Sequence, residues 1–136
     1  MKPDKANKCL RAAVDYEDAK TGLHLAFTAE DCLSQMSLAV VNADIVRGEE
    51  VVGQAIFQLD FEANALQIAS VNLREDLTGA GFGRRWLAHI EKVAKGAAFL
   101  YIAEGSSEAA ERAVQAAGWA GTVAGLDIDH SFAKAL

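Results

Sequence analysis

Val71-Asn-Leu-Arg-Glu-Asp-Leu-Thr-Gly-Ala-Gly-Phe-Gly-Arg-Arg-Trp-Leu87 decides how this chain is read: an apolar strand pattern enters glycines at every second position and leaves as an amphipathic helix. Gly79, Gly81 and Gly83 can take φ > 0, which lets successive N–H groups converge on an anion. A helix beginning near Gly83 adds its own unpaired N–H groups and the positive end of its dipole. Arg84 and Arg85 in its first turn oppose that dipole, an arrangement that makes sense if an anion sits between. The run predicts a phosphate cradle; the plainer reading is a tight glycine turn beside two solvated arginines.

Spacing narrows the ligand. A dinucleotide fingerprint needs G-x-G-x-x-G, but here the third glycine comes one residue early and Arg84 takes its place. A Walker loop needs Gly-Lys-Ser/Thr after the run, where this chain has Gly83-Arg84-Arg85. Both common nucleotide readings weaken.

Outward from the loop, 136 residues, 51% of them hydrophobic and only one a proline, predict a single domain over 1–136 with chain enough for a sizeable core. No stretch approaches the length of a membrane span, and the first eight residues lack the apolar region of a signal peptide, so a cytoplasmic protein with no membrane partner is expected. Cys9 and Cys32 form no C-x-x-C pair and read as reduced and buried. His24, His89 and His130 are scattered, and no metal site is expected. A net charge of −6 argues against broad nucleic-acid binding. Between Gly83 and Lys95, however, Arg84, Arg85, Lys92 and Lys95 oppose only Glu91, a local positive patch suited to a small polyanion or simply a solvated helix face.

Periodicity places the loop in a mixed α/β fold. Residues 38–46, 51–60 and 65–73 alternate as strands separated by turn-like segments, which predicts a three-stranded antiparallel meander. The helix from Gly83 to about Lys95 sets Trp86, Leu87, Ile90, Val93 and Ala94 on one core-facing side, and Gly96 ends it. Residues 99–102 form a short apolar run suited to a central strand parallel to its predecessor. Ser106 or Ser107 caps a helix through Ala117, closed by Gly118. The tail at 122–132 has weaker strand character, residues 10–16 read as a strand, and residues 28–31 read as a cap opening a short helix to Met36.

This layout resembles the GNAT superfamily of acyl-CoA-dependent N-acetyltransferases over residues 38–132. Its signature Q/R-x-x-G-x-G/A falls on Thr78-Gly79-Ala80-Gly81-Phe82-Gly83, with Thr78 replacing the usual glutamine or arginine. Residues 48–53 look like the family's turn before its third strand, and Leu73 stands where the family often has valine. The family's Asn-x-x-Ala-x-x-x-Tyr-x-x-x-Gly-Phe is echoed by Ser107, Ala110, Val114, Gly118 and Trp119.

The resemblance implies a mixed sheet with a splayed parallel pair after the loop and helices on both faces. It implies acetyl-CoA as cosubstrate, with its pyrophosphate on Thr78, Gly79, Ala80, Gly81, Phe82, Gly83 and Arg84, Ser107 nearby, and the thioester against Val71 to Leu73. An N–H there would stabilise the oxyanion as an amine attacks. Val114 replaces the family's tyrosine acid and Gln67 stands where one branch carries a glutamate base. Ser70 and Asn72 could orient a water, and Asp60, Glu62 and Asp76 are alternative bases or plain surface carboxylates. Two functions follow: an N-acetyltransferase for an amine of a small molecule or protein, and a GNAT-like module that binds CoA or a protein partner without chemistry. A homodimer through the late strands is implied by analogy, and a Rossmann-like domain is opposed by the meander.

Overall fold

The computed structural model describes residues 3–33, 38–60, 62–94, 97–103 and 108–136. Helix α1 (Pro3–Val14) leads into strands β1 (Leu23–Leu33), β2 (Leu38–Arg47), β3 (Glu50–Asp60) and β4 (Ala65–Leu73). A one-turn 3-10 helix (Glu75–Leu77) precedes α2 (Phe82–Val93), followed by β5 (Phe99–Ala103), α3 (Glu108–Ala116) and β6 (His130–Ala135). The six strands form one sheet in chain order, antiparallel at every step except β4 to β5.

The meander over 38–73 and the parallel strand at 99–102 stand as the alternation predicts. Upstream, two segments depart from the expected elements. Residues 10–14 end a helix, not a strand: Pro3 occupies the first helical position, where its missing N–H leaves no bond unmade, and Cys9, Ala13 and Val14 are buried at helical spacing. Residues 28–31 open no helix; they lie in β1, paired antiparallel to β2 with Thr28 as the bulged residue between Phe27 and Ala29. Met36, Lys95, Gly96 and the caps at Ser106 or Ser107 lie outside the described residues. The tail is also sharper than read: Ala120 makes an isolated bridge to Ala133, and the strand itself starts at His130.

The main core joins Cys9, Ala13 and Val14 of α1, Phe82, Trp86, Leu87 and Ile90 of α2 and Val114 of α3 to Ala55, Phe57, Leu59, Leu66, Leu100 and Ile102 of the sheet. The buried residues of all three described helices enter this one cluster. A smaller one, Ala65, Tyr101, Leu126 and Ala133, is completed by the irregular segment before β6. Trp86 is the keystone of α2: its Nε1 donates to Ala13 O at 3.0 Å, and its ring lies 6.0 Å from Phe57 and 6.5 Å from Phe82. Burying a side chain of this class contributes about 1.5–3 kcal/mol. These contacts fix α2, and with it the glycine loop, against the sheet.

Candidate functional site

β4 and β5 pair only at Ala65, Leu66 and Gln67, opposite Phe99, Leu100 and Tyr101. Beyond Gln67, β4 runs six residues further along β3 alone, so the sheet opens. A β-bulge at Ala69 changes which way this free half faces, because Phe57 pairs with Ile68 while Ile56 pairs with Ser70. Leu66 and Ile68 point into the main core before the bulge, and Val71 and Leu73 pack against it afterwards. Arg74 N donates to Val52 O at 2.8 Å. Because alternate residues of a strand send their main-chain groups to opposite edges, Val71 and Leu73 present theirs to the opening.

The glycine loop stands at the end of this edge. Gly79 and Gly81 both have φ 82, a left-handed conformation that side chains disfavour. Gly81 is the N-cap of α2 and supplies no side-chain cap, which leaves the helix's first N–H groups without an internal acceptor. Thr78, at the position of the family's glutamine or arginine, closes the turn before the loop: its Oγ1 donates to Glu75 O at 2.7 Å. Such a run of left-handed glycines opening an uncapped helix is chemically an anion receptor.

The two arginines divide their roles. Arg84 is exposed and makes no ion pair among the described residues. Arg85 is already paired: Nε donates to Asp18 Oδ1 at 2.7 Å, Nη2 to Asp18 Oδ2 at 2.9 Å, and Nη2 also to Ala80 O at 2.9 Å. The anion beside it is therefore a protein carboxylate 67 residues upstream, which corrects the view of two cations waiting for a ligand. Asp18 is 2% exposed and accepts further hydrogen bonds from Tyr16 Oη at 2.9 Å, Thr21 N at 3.2 Å and Thr21 Oγ1. The Arg85 guanidinium, with Thr21 and Tyr16, holds the Asp18 carboxyl well below the usual carboxylate range against the opposing effect of burial. Burial, helped by Asp18, pushes the Tyr16 phenol up to about 12.

The acid of this patch is engaged from elsewhere in the fold. Glu91 accepts from Trp119 Nε1 and Lys134 Nζ, each at 2.9 Å, and so ties α2 to the segment after α3 and to β6. Lys92 is exposed, and Lys95 lies outside the described residues.

The candidate acid–base positions fall apart from one another. Ser70 and Asn72 share the face opposite Val71 and Leu73, with Asn72 Nδ2 donating to Ser70 Oγ at 3.1 Å. Gln67 is buried; its Oε1 accepts from Gln58 Nε2 and, at 3.4 Å, from Tyr101 Oη, so it serves as an internal polar tie. Val114 is 2% exposed and belongs to the main core. Asp60 Oδ1 accepts from Glu62 N and Ala63 N, both at 2.9 Å, and shapes the β3–β4 turn. Asp76 pairs with Arg74 Nε at 2.6 Å, and Glu62 is exposed. Ser107 lies outside the described residues. Among the described residues, no cluster of three or more His, Cys, Asp and Glu side chains could hold a metal ion.

Two features escape a reading of the sequence. Asp18, with Tyr16 and Thr21, sits in a stretch with no motif, and nothing local joins it to Arg85. The bulge did leave a trace, since the apolar positions of β4 change from even numbers, Leu66 and Ile68, to odd ones, Val71 and Leu73.

Known proteins share this architecture. An acetyltransferase from Thermus thermophilus is 24% identical with a TM-score of 0.57, the match covering 71% of this chain and 64% of that one, so the chain spans less than two thirds of that relative's length. A Bacillus subtilis acetyltransferase solved in complex with CoA is 20% identical with a TM-score of 0.54, covering 74% of this chain and 78% of the other. An E. coli putative N-acetyl transferase, YhhK, solved bound to coenzyme A, is 14% identical with a TM-score of 0.54, covering 71% of each chain. No curated protein matches. The model of the Acetyltransferase (GNAT) family matches residues 8–119, most of the chain, and with the glycine loop seated at the open edge of β4 it gives the assignment: this chain belongs to the GNAT acetyltransferase family.

Proposed function

We propose that the chain is an acetyl-CoA-dependent N-acetyltransferase, and the observation that carries this reading is the junction of the open β4 edge with the left-handed Gly79–Gly81 loop and the uncapped start of α2. The CoA pyrophosphate accepts hydrogen bonds from the amides between Gly79 and Arg84, and Arg84 supplies the charge. The pantetheine arm lies along the free half of β4. The thioester carbonyl meets a main-chain N–H at Val71 or Leu73, which stabilises the oxyanion as the amine nitrogen attacks. Carbon–nitrogen bond formation then expels the CoA thiolate. Holding amine and thioester side by side supplies much of the acceleration. The proton lost by the amine passes to water, oriented by Ser70 and Asn72, because neither Gln67 nor Val114 can take or give one. Sequence identities below 25% to solved relatives leave the acceptor open: an amine of a small molecule or of a protein. On this reading the setting is the cytoplasm, in keeping with the free, buried Cys9, and a homodimer through the late strands remains part of the proposal.

One observation favours a second reading. The family's usual acid and base positions hold a buried valine and a buried amide, and Asp60 and Asp76 are engaged elsewhere. A GNAT-fold module that binds CoA or a protein partner without turnover would look like this.

Thermal unfolding with and without acetyl-CoA comes first. A ligand at one hundred times its Kd adds about 2.7 kcal/mol to the native state, which in a chain of this size raises Tm by roughly 9 °C. A rise followed by amine-dependent thiol release supports the enzyme; a rise with no turnover across a broad amine screen supports the module. No rise overturns both CoA readings.

A further inference from the structure

Asp18 lies in the connection between α1 and β1, and β1 is three strands from β4 in the sheet order, yet the Asp18 carboxylate reaches the glycine loop through a single side chain. Arg85 spans the two, gripping Asp18 with Nε and Nη2 and the carbonyl of Ala80 with Nη2. That carbonyl matters because a trans peptide is planar, with its C=O and N–H pointing in opposite directions. Holding Ala80 O against Arg85 therefore aims the Gly81 N–H the other way, out of the protein's own hydrogen bonding and toward the cradle. A loop of left-handed glycines has little conformational preference of its own. Its orientation must come from outside, and the Arg85 contact supplies it.

We propose that Asp18 is a positioning residue for the CoA pyrophosphate: it clamps Arg85 on the Ala80 carbonyl and so keeps the Gly81 amide aimed at the phosphate. The inference rests on the reading of this loop as a CoA site. Asp18 suits the task because both of its oxygens are held from several sides. Oδ1 takes Tyr16 and Arg85; Oδ2 takes Arg85 and the backbone and hydroxyl of Thr21. The carboxylate is thus buried and fully paired, and the guanidinium it grips has little freedom. A second consequence separates this role from simple charge balance. If Asp18 merely neutralised Arg85, removing its charge would release a cation beside the phosphates and tighten CoA. If it positions the loop, removal loosens the loop and weakens CoA.

The test measures the CoA Kd calorimetrically for the unaltered chain, Asp18→Asn, Arg85→Met and the double variant, at a temperature where circular dichroism shows each to be folded. The backbone amide resonance of Gly81 is recorded in each protein without ligand. The expected result is that either single substitution weakens CoA about tenfold, the scale of one lost hydrogen bond to a charged group. The double variant should lose no more than either single one, because both act through one linkage. The Gly81 resonance should move in every variant before CoA is added, which a general loss of stability would not produce. Tighter or unchanged CoA binding in Asp18→Asn, additive losses, or an unmoved Gly81 resonance would each overturn the proposal. Should Asp18→Asn not fold, Arg85→Met alone carries the same predictions. Failure of the unaltered chain to bind CoA would refute the reading beneath it, whereas the Gly81 resonance judges the clamp itself.

Discussion

Substituting alanine at Gly79, Gly81 and Gly83 in turn should give three different outcomes from glycines only two residues apart. At Gly79 an added Cβ would meet nothing within 4 Å, so the cost is the backbone alone: φ 82 is left-handed, and an L-residue there loses about 1–2 kcal/mol. Gly81 has the same φ, but its Cβ would lie 2.5 Å from Arg85 Nη1 and displace that guanidinium from Ala80. Its loss should therefore exceed that at Gly79. Gly83 is different in kind, being a helical residue with open space around its Cβ. Alanine there should stabilise by up to about 0.5–1 kcal/mol through helix propensity. With an unfolding entropy of roughly 2.1 cal/mol/K per residue over 136 residues, each kcal/mol moves Tm by about 3.5 °C. Differential scanning calorimetry should then read a fall of about 4–7 °C for Gly79→Ala, a larger fall for Gly81→Ala and a rise of about 2–3 °C for Gly83→Ala. Parallel CoA titrations should show binding weakened at 79 and 81 and retained at 83. A Gly81→Ala protein as stable as the parent, or a destabilised Gly83→Ala, would refute the conformational argument for this loop.

Other consequences are equally direct. A Cβ at Gly53 would collide with Asn72 O and stand 3.1 Å from Leu73 Cα, so Gly53→Ala should push out the end of β4; amide shifts at Val71 and Leu73 should move, and an unperturbed β4 would count against this packing. Val114→Tyr should cost about 1–3 kcal/mol by overpacking the core rather than restore an acid; a stable variant with faster thiol release would show that the residue faces the site. Asp18 titrates lower folded than unfolded, so the native state resists protonation and acid favours unfolding. The stability it gives should be complete above the ordinary carboxylate value and drain away as pH falls below it, and Asp18→Asn should flatten that acid limb in urea titrations. Tyr16 works in the opposite sense: with its phenol raised to about 12, its contribution is full below the ordinary tyrosine value of about 10 and lost as pH climbs from there through 12. Tyr16→Phe should remove this alkaline slope; an unchanged slope would place its cause elsewhere.

The sequence by itself determined what neighbours along the chain can encode. Period-two alternation marked β2, β3 and β4, the spacing of Trp86, Leu87 and Ile90 marked the core side of α2, and alternate glycines marked the loop, because each signal is complete within a dozen residues. The same locality explains the misreadings. Residues 10–16 are apolar enough for either element, and only packing of Cys9, Ala13 and Val14 against the sheet selects the helix. Spacing alone gave Val114 the place of a family acid, while the rotation of α3 turned that position inward. Tertiary structure alone decided that the anion for Arg85 is Asp18 and that Gln67 is tied to Gln58 and Tyr101. Pairs 67 residues apart have no signature in either partner's surroundings. Which carboxylate meets which guanidinium is set by where the sheet and helices bring them, and that is a property of the packed chain rather than of any stretch within it.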